Sequence, residues 1–295
     1  MVPQLLRHLD IPYISLASHS GGSIYLLNTL VVYPQFLHPH KPYVCLFAPY
    51  VRPTHSKVML WQITSQLPAP LLGKFASIAK VVNDSFMPLI GLSGSLPTFF
   101  SAPAPLLTPA TLRSRALSAS SHKTYNDDLD MDDPSVLKEL RDYIPMFLFA
   151  ECLDGVNDDV QLFLKPHSVW CTPSMVWSDT DHFVPLLSKI IEEDSRLDGH
   201  TRMLTIDAYH AASDVMVGEK GQRWWDACWF PGRSSTSSAR SNPPEPVQQY
   251  SHQSYEYRSE VVKGTDHNFL VDPAFGASAA WLQRVRDAIP RPVEV

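Results

Sequence analysis

The chain has 295 residues, 44% hydrophobic and 11% aromatic, enough for one α/β domain of ordinary size, alone or with a cap. Its formal net charge of −6 offers no basic field for nucleic acid. The four cysteines (Cys45, Cys152, Cys171 and Cys228) form no C-x-x-C pair and read as reduced thiols, not as a disulfide framework or zinc site. The N-terminus lacks the charged and apolar regions of a signal peptide. No apolar run reaches the roughly 18 residues that suggest a membrane span. These features predict a cytoplasmic protein with no transmembrane segment, no nucleic-acid partner, no cofactor and no metal. They say nothing of oligomeric state.

Residues 3–9 read as the end of an amphipathic helix carrying Leu5, Leu6 and Leu9. A strand over 13–17 follows. Ser18-His19-Ser20-Gly21-Gly22 then turns sharply into a helix over 21–33, closed by Pro34. A nucleophile elbow has this strand–turn–helix setting. Its turn is so tight that the residues two before and two after the nucleophile must be small. Ser18 and Gly22 hold those places. Glycine fills the first of them in the common G-x-S-x-G form, so this is a variant. Such an elbow lifts the Ser20 hydroxyl clear of the sheet and aims the Gly21 amide at a nascent oxyanion. The plainer alternative is a Gly-rich turn with no chemistry.

Residues 43–48 are an apolar run between prolines and read as a second, parallel strand. From 56 to 200 the alternation breaks. Residues 58–90 read as apolar helices, with Trp61, Leu71 and Phe75 among the candidates to line a pocket, and 93–110 as a Ser/Pro-rich loop. The acidic run 126–133 has the flavour of a calcium loop but lacks its turn glycine and closing glutamate. A solvated loop, with Asp133 capping a helix that starts at Pro134, fits better. We expect 56–200 to form a mostly helical cap or lid. The core would then be 1–55 with 201–295, a parallel sheet with flanking helices. In that second segment, 201–209 reads as a strand and 219–229 as a helix packed through its tryptophans. Residues 231–254 read as a flexible low-complexity insertion, 257–262 as the last strand and 274–288 as the closing helix.

A serine hydroxyl needs a base in contact, and the base needs an orienting acid. The loop after 201–209 carries Asp214, and the loop after 257–262 carries Asp266-His267. Each candidate sits just beyond a strand end, on the edge expected for Ser20. His210 is a rival base, but it precedes Asp214 and reads as structural. Asp181, in Ser178-Asp179-Thr180-Asp181-His182-Phe183-Val184-Pro185, is a rival acid. A helix and a further strand still follow it, which favours Asp214.

On Ser18-His19-Ser20-Gly21-Gly22, on Ala212 to Gly218 with Gly221 and Trp225, and on Gly264-Thr265-Asp266-His267, the chain resembles the α/β-hydrolase superfamily. More narrowly it resembles fungal members of the AB hydrolase-1 type. The resemblance covers 1–53 and 201–288 well, and the middle only as a generic cap. It implies Ser20 as nucleophile, Asp214 as acid, His267 as base and Gly21 as an oxyanion donor. The implied fold is only partial. A complete family member has further strands before the elbow strand, and the loop giving the second oxyanion amide, often His-Gly, lies among them. No His-Gly dipeptide occurs here. The expectation is therefore a hydrolase chain lacking its N-terminal strands, with an exposed edge and impaired activity.

Two functions remain open at this point. One is a serine hydrolase, carboxylesterase- or lipase-like, acting on small apolar esters. The other is a non-catalytic relative that binds a small apolar ligand or a partner chain. Epoxide or haloalkane hydrolysis is disfavoured, because it normally takes an aspartate at the elbow.

Overall fold

The protein is described by a computed structural model covering residues 2–72, 135–136, 139, 143, 154–164, 180–198, 203–230 and 247–288. In chain order the elements are α1 (Val2–His8), β1 (Leu16–His19), α2 (Gly22–Val32), β2 (Tyr43–Phe47), α3 (Pro53–Ser56), α4 (Met59–Gln66) and α5 (Ala69–Leu72). Then come α6 (Asp154–Leu164), α7 (Thr180–Asp198), β3 (Leu204–Ala211), α8 (Gly218–Trp229), β4 (Val247–Ser251), β5 (Tyr255–Val262) and α9 (Ala277–Ala288).

The fold is mixed α/β, with helices flanking a five-stranded, mostly parallel sheet of order β1-β2-β3-β5-β4. β1, β2, β3 and β5 run parallel, with Leu16 opposite Val44, Val44 opposite Ile206 and Ile206 opposite Tyr257. The central strands explain their own place. All five residues of β2 are buried, as a parallel strand covered on both faces requires. β3 is nearly as buried, and Asp207 and His210 on it each find a partner through one atom, while Asp207 Oδ1 and His210 Nδ1 have none among the described residues. Asp207 accepts from the Tyr43 hydroxyl at 3.0 Å and faces Arg284 at 3.3 Å, while His210 Nε2 meets Asp226 at 3.2 Å. His210 is thus held in the interior.

One face of the sheet packs on α2, α7 and α8. Leu26, Leu27 and Leu30 of α2 meet Phe183, Val184 and Leu187 of α7 and the fully buried Trp225 and Trp229 of α8. Burying side chains of this size contributes roughly 1.5–3 kcal/mol each. The other face carries Tyr43, Cys45, Phe47 and Tyr209 beneath α9, whose Trp281 meets Phe47 edge-on.

The chain divides into two compact units, Met1–Gly73 with Asp158–Val295, and Lys74–Asn157. The stretch expected as one cap, 56–200, is therefore divided between them. α7 in particular belongs to the sheet's unit. Its apolar positions 183, 184, 187 and 191 form one stripe, and that stripe is buried in the core against α2. Most of the second unit, including Phe75, the 93–110 loop, the acidic run 126–133 and the cap at Asp133, lies outside the described residues.

Part of the expected insertion 231–254 is corrected. Val247–Ser251 forms β4, antiparallel to β5, with Gln249 opposite Arg258. Its sequence, Val-Gln-Gln-Tyr-Ser, has only one aromatic to bury. Tyr250 supplies the packing, edge-on to Phe230 at 5.3 Å. A polar edge strand of this kind carries little hydrophobic signal. Among the described residues, no helix is long and apolar enough to cross a membrane.

Candidate active site

The carboxyl ends of β1, β2, β3 and β5 form one rim, because these four strands are parallel. Ser20 follows β1 directly, with φ at +53°. That left-handed conformation costs a non-glycine residue about 1–2 kcal/mol. The surroundings hold it in place. Ser20 N–H donates to Phe47 O at 2.9 Å, and Ser20 O accepts from Ser23 N–H at 3.0 Å and Tyr50 N–H at 3.2 Å. α2 begins two residues later. The turn is as tight as the sequence requires: a Cβ built on Gly22 would lie 3.4 Å from the Ser18 Cβ.

Asp214 lies three residues beyond β3 and His267 five residues beyond β5. Their loops are tied together by Ser213 N–H donating to Thr265 O at 3.1 Å. Thr265 in turn donates its hydroxyl to Val262 O at 2.7 Å, and Asp266 caps the turn by accepting from the amides of Asn268 and Phe269. Thus the loop ends in a fixed shape with His267 only 4% exposed.

The structure brings Ser20, His267 and Asp214 together. His267 Nε2 is 2.8 Å from Ser20 Oγ, and His267 Nδ1 is 3.0 Å from Asp214 Oδ2 and 3.1 Å from Oδ1. A carboxylate can only accept, so Nδ1 carries the proton. In the neutral ring Nε2 is then free to accept from the Ser20 hydroxyl. Asp214 Oδ1 also accepts from Met216 N–H at 2.9 Å and Val217 N–H at 2.8 Å. Burial opposes ionisation of Asp214, but the His267 hydrogen bond and charge, helped by the two amides, outweigh it. The carboxyl is held below its usual range.

Gly21, with φ at −54°, precedes α2 and has no acceptor for its N–H among the described residues. A Cβ there would meet the Phe163 ring of α6 at 2.4 Å, so glycine is needed for that close approach. Phe163 packs against Tyr50 with ring centroids 4.9 Å apart, and its carbonyl accepts from the Tyr50 hydroxyl at 2.8 Å. An aromatic pair thus stands next to Ser20.

Asp181, the rival acid, falls in the first turn of α7, not in a loop beyond a strand. The carboxylate on the His267 ring is that of Asp214. Of the pocket candidates, Trp61 is half-buried and Leu71 exposed. Two cavities among the described residues are lined by Leu30, Leu187 and Leu204 in one case and by Ser188, Cys228 and His252 in the other. Neither is lined by Ser20, His267 or Asp214. Among the described residues no cluster of metal-ligating side chains occurs.

Sequence reasoning missed three neighbours of Ser20. His19 donates to the His267 carbonyl, and Tyr50 and Phe163 flank the elbow. Only the position of His19 beside Ser20 could have pointed to any of them.

No protein-family model matches the chain, and no curated protein matches its sequence. Among solved structures it is similar to the non-heme bromoperoxidase candidate BpoC of Mycobacterium tuberculosis H37Rv, at 14% identity and TM-score 0.40, covering 98% of this chain and 72% of that one. It is similar to Rv0554 of the same organism at 13% identity and TM-score 0.42, covering 98% and 71%. A third similarity is to Kex1(ΔP), a prohormone-processing carboxypeptidase of Saccharomyces cerevisiae, at 13% identity and TM-score 0.36, covering 99% and 66%.

Proposed function

We propose that the protein is a serine hydrolase of the α/β-hydrolase type, acting on esters with apolar acyl or alcohol groups. The single observation that carries this reading is the hydrogen-bonded chain from Ser20 Oγ through His267 to Asp214, at 2.8 and 3.0 Å.

In this reading Ser20 Oγ attacks the ester carbonyl as His267 Nε2 takes its proton. Asp214 keeps the imidazole in the Nδ1–H tautomer and stabilises the imidazolium. The Gly21 N–H faces the oxyanion. The carbon–alkoxy bond breaks, and His267 returns the proton to the departing alcohol. Water then repeats the sequence on the acyl-serine, releasing the acid and restoring Ser20. The aromatic pair of Tyr50 and Phe163 beside the elbow supports an apolar substrate. A helical cap over 56–200 belongs to this proposal.

A second reading, a non-catalytic relative that binds an apolar ligand or partner, has its own support. Among the described strands β1 ends the order, and Leu5, Leu9, Ile11 and Tyr13, which precede it in the chain, are exposed. Hydrolysis of p-nitrophenyl esters of graded chain length by the full chain and by Ser20→Ala separates the two. Ser20-dependent turnover supports the hydrolase. Tight ester binding without turnover supports the binding protein.

A further inference from the structure

We propose that His19 is a positioning residue for His267. By this proposal, the hydrogen bond from the His19 ring to the His267 backbone carbonyl locks the base loop to the strand that carries Ser20. The inference rests on the hydrolase reading for its catalytic consequence, but not for its geometry.

His19 is the last residue of β1, and its backbone is fixed by pairing with Phe47 of β2. Its Nε2 lies 2.7 Å from His267 O. A carbonyl has no proton to give, so His19 Nε2 carries the hydrogen and donates it. The two rings are neighbours, with centroids 5.1 Å apart and tilted by 51°. The residue next to the candidate nucleophile therefore grips the backbone of the candidate base, 248 positions away in the chain.

The ties that Thr265 and Asp266 make reach back to the loop's own side of the sheet. Thr265 bonds to Val262 and to Ser213, and Asp266 caps Asn268 and Phe269. These ties set the loop relative to β3 and β5. Among the described residues, the His19 bond is the direct side-chain-to-backbone link between that loop and β1. It therefore bears on the distance that matters for proton transfer, from His267 Nε2 to Ser20 Oγ.

His19 suits this work because it stays neutral. Burial lowers its proton affinity, and the nearby His267 lowers it further. A neutral His19 can bond the carbonyl without setting a second positive charge beside the imidazolium that forms during the reaction. Asp214 is the carboxylate facing this pair, and it is committed to His267 Nδ1.

The test uses the full chain with ¹⁵N-labelled histidine rings, and the variants His19→Ala and His19→Gln. A glutamine amide restores an N–H donor of similar reach. Two-bond ¹H–¹⁵N spectra at neutral pH should show His19 as the Nε2–H tautomer. The His267 ring signals should shift and broaden in His19→Ala and return towards the native positions in His19→Gln. Where the wild type shows Ser20-dependent turnover, His19→Ala should lower kcat ~10–100-fold with KM nearly unchanged, the size expected from misplacing a catalytic group by about 1 Å. His19→Gln should recover most of it. An Nδ1–H tautomer at His19, or His267 signals indifferent to His19→Ala, would overturn the inference. So would an active wild type whose kcat survives His19→Ala. A wild type with no turnover but with the expected spectra would remove the hydrolase reading and leave the positioning contact standing.

Discussion

Replacing Asp214 separates its two tasks. Asp214 Oδ1 accepts from the Met216 and Val217 amides, and both oxygens face His267 Nδ1. The side chain is 1% exposed, so water cannot take over these bonds. In Asp214→Ala two amides and the Nδ1–H lose their acceptor. Breaking a buried pair of this kind costs about 3–5 kcal/mol. In Asp214→Asn the amide oxygen can keep both backbone bonds, and the loss falls to about 1–2 kcal/mol, the difference between charged and neutral hydrogen bonds. The rate behaves differently. The asparagine NH₂ would face Nδ1–H, donor against donor, unless the ring changes tautomer. A changed tautomer presents Nε2–H to Ser20 and removes the base, at a cost on the order of 10⁴ in kcat. Asp214→Asn should therefore be nearly as stable as the wild type and almost inactive, while Asp214→Ala is both unstable and inactive. Thermal unfolding and ester turnover on the same preparations measure the two effects. An Asp214→Asn protein within tenfold of wild-type activity would refute the reasoning, as would an Asp181→Asn protein that loses activity instead.

Gly21→Ala should drive its new methyl into Phe163, since the built Cβ lies 2.4 Å from that ring. Both stability and turnover should fall, and Phe163→Leu should restore part of each in the double mutant. Failure of that coupling in a double-mutant cycle would remove the contact. Ser18→Ala should leave unfolding unchanged or slightly raised, because the buried Ser18 hydroxyl has no partner among the described residues. A clear loss of stability would reveal a bond to that hydroxyl. Asp214 also predicts a pH dependence. Its folded carboxyl lies below the unfolded value, so its contribution is fully present above about pH 4 and is lost as pH falls through the lower folded value. Acid unfolding of Asp214→Asn should show a smaller change over that range than the wild type, and an identical profile would contradict the assignment.

Much of this site was legible because it lies at element boundaries. Ser18 to Gly22 announces a turn by its small residues. Asp214 and His267 follow segments that read as strands, and parallel pairing of those strands brings their loops to the edge where Ser20 sits. The contacts of His19, Tyr50 and Phe163 were not legible. They join residues far apart in the chain through single bonds or ring faces, which leave no periodic signal. The packing of α7 was not legible for another reason: its charged residues (Lys189, Glu192, Glu193, Asp194) mask a narrow apolar stripe. β4 escaped notice because an edge strand can be polar on both faces when one tyrosine anchors it.

The central claim is that Ser20 is an activated nucleophile. The most direct test is labelling of the full chain with a fluorophosphonate, followed by mapping of the modified peptide. The account predicts stoichiometric phosphonylation at Ser20, lost in Ser20→Ala and strongly slowed in His267→Ala. A folded chain that takes no label, or takes it at another serine, would contradict it.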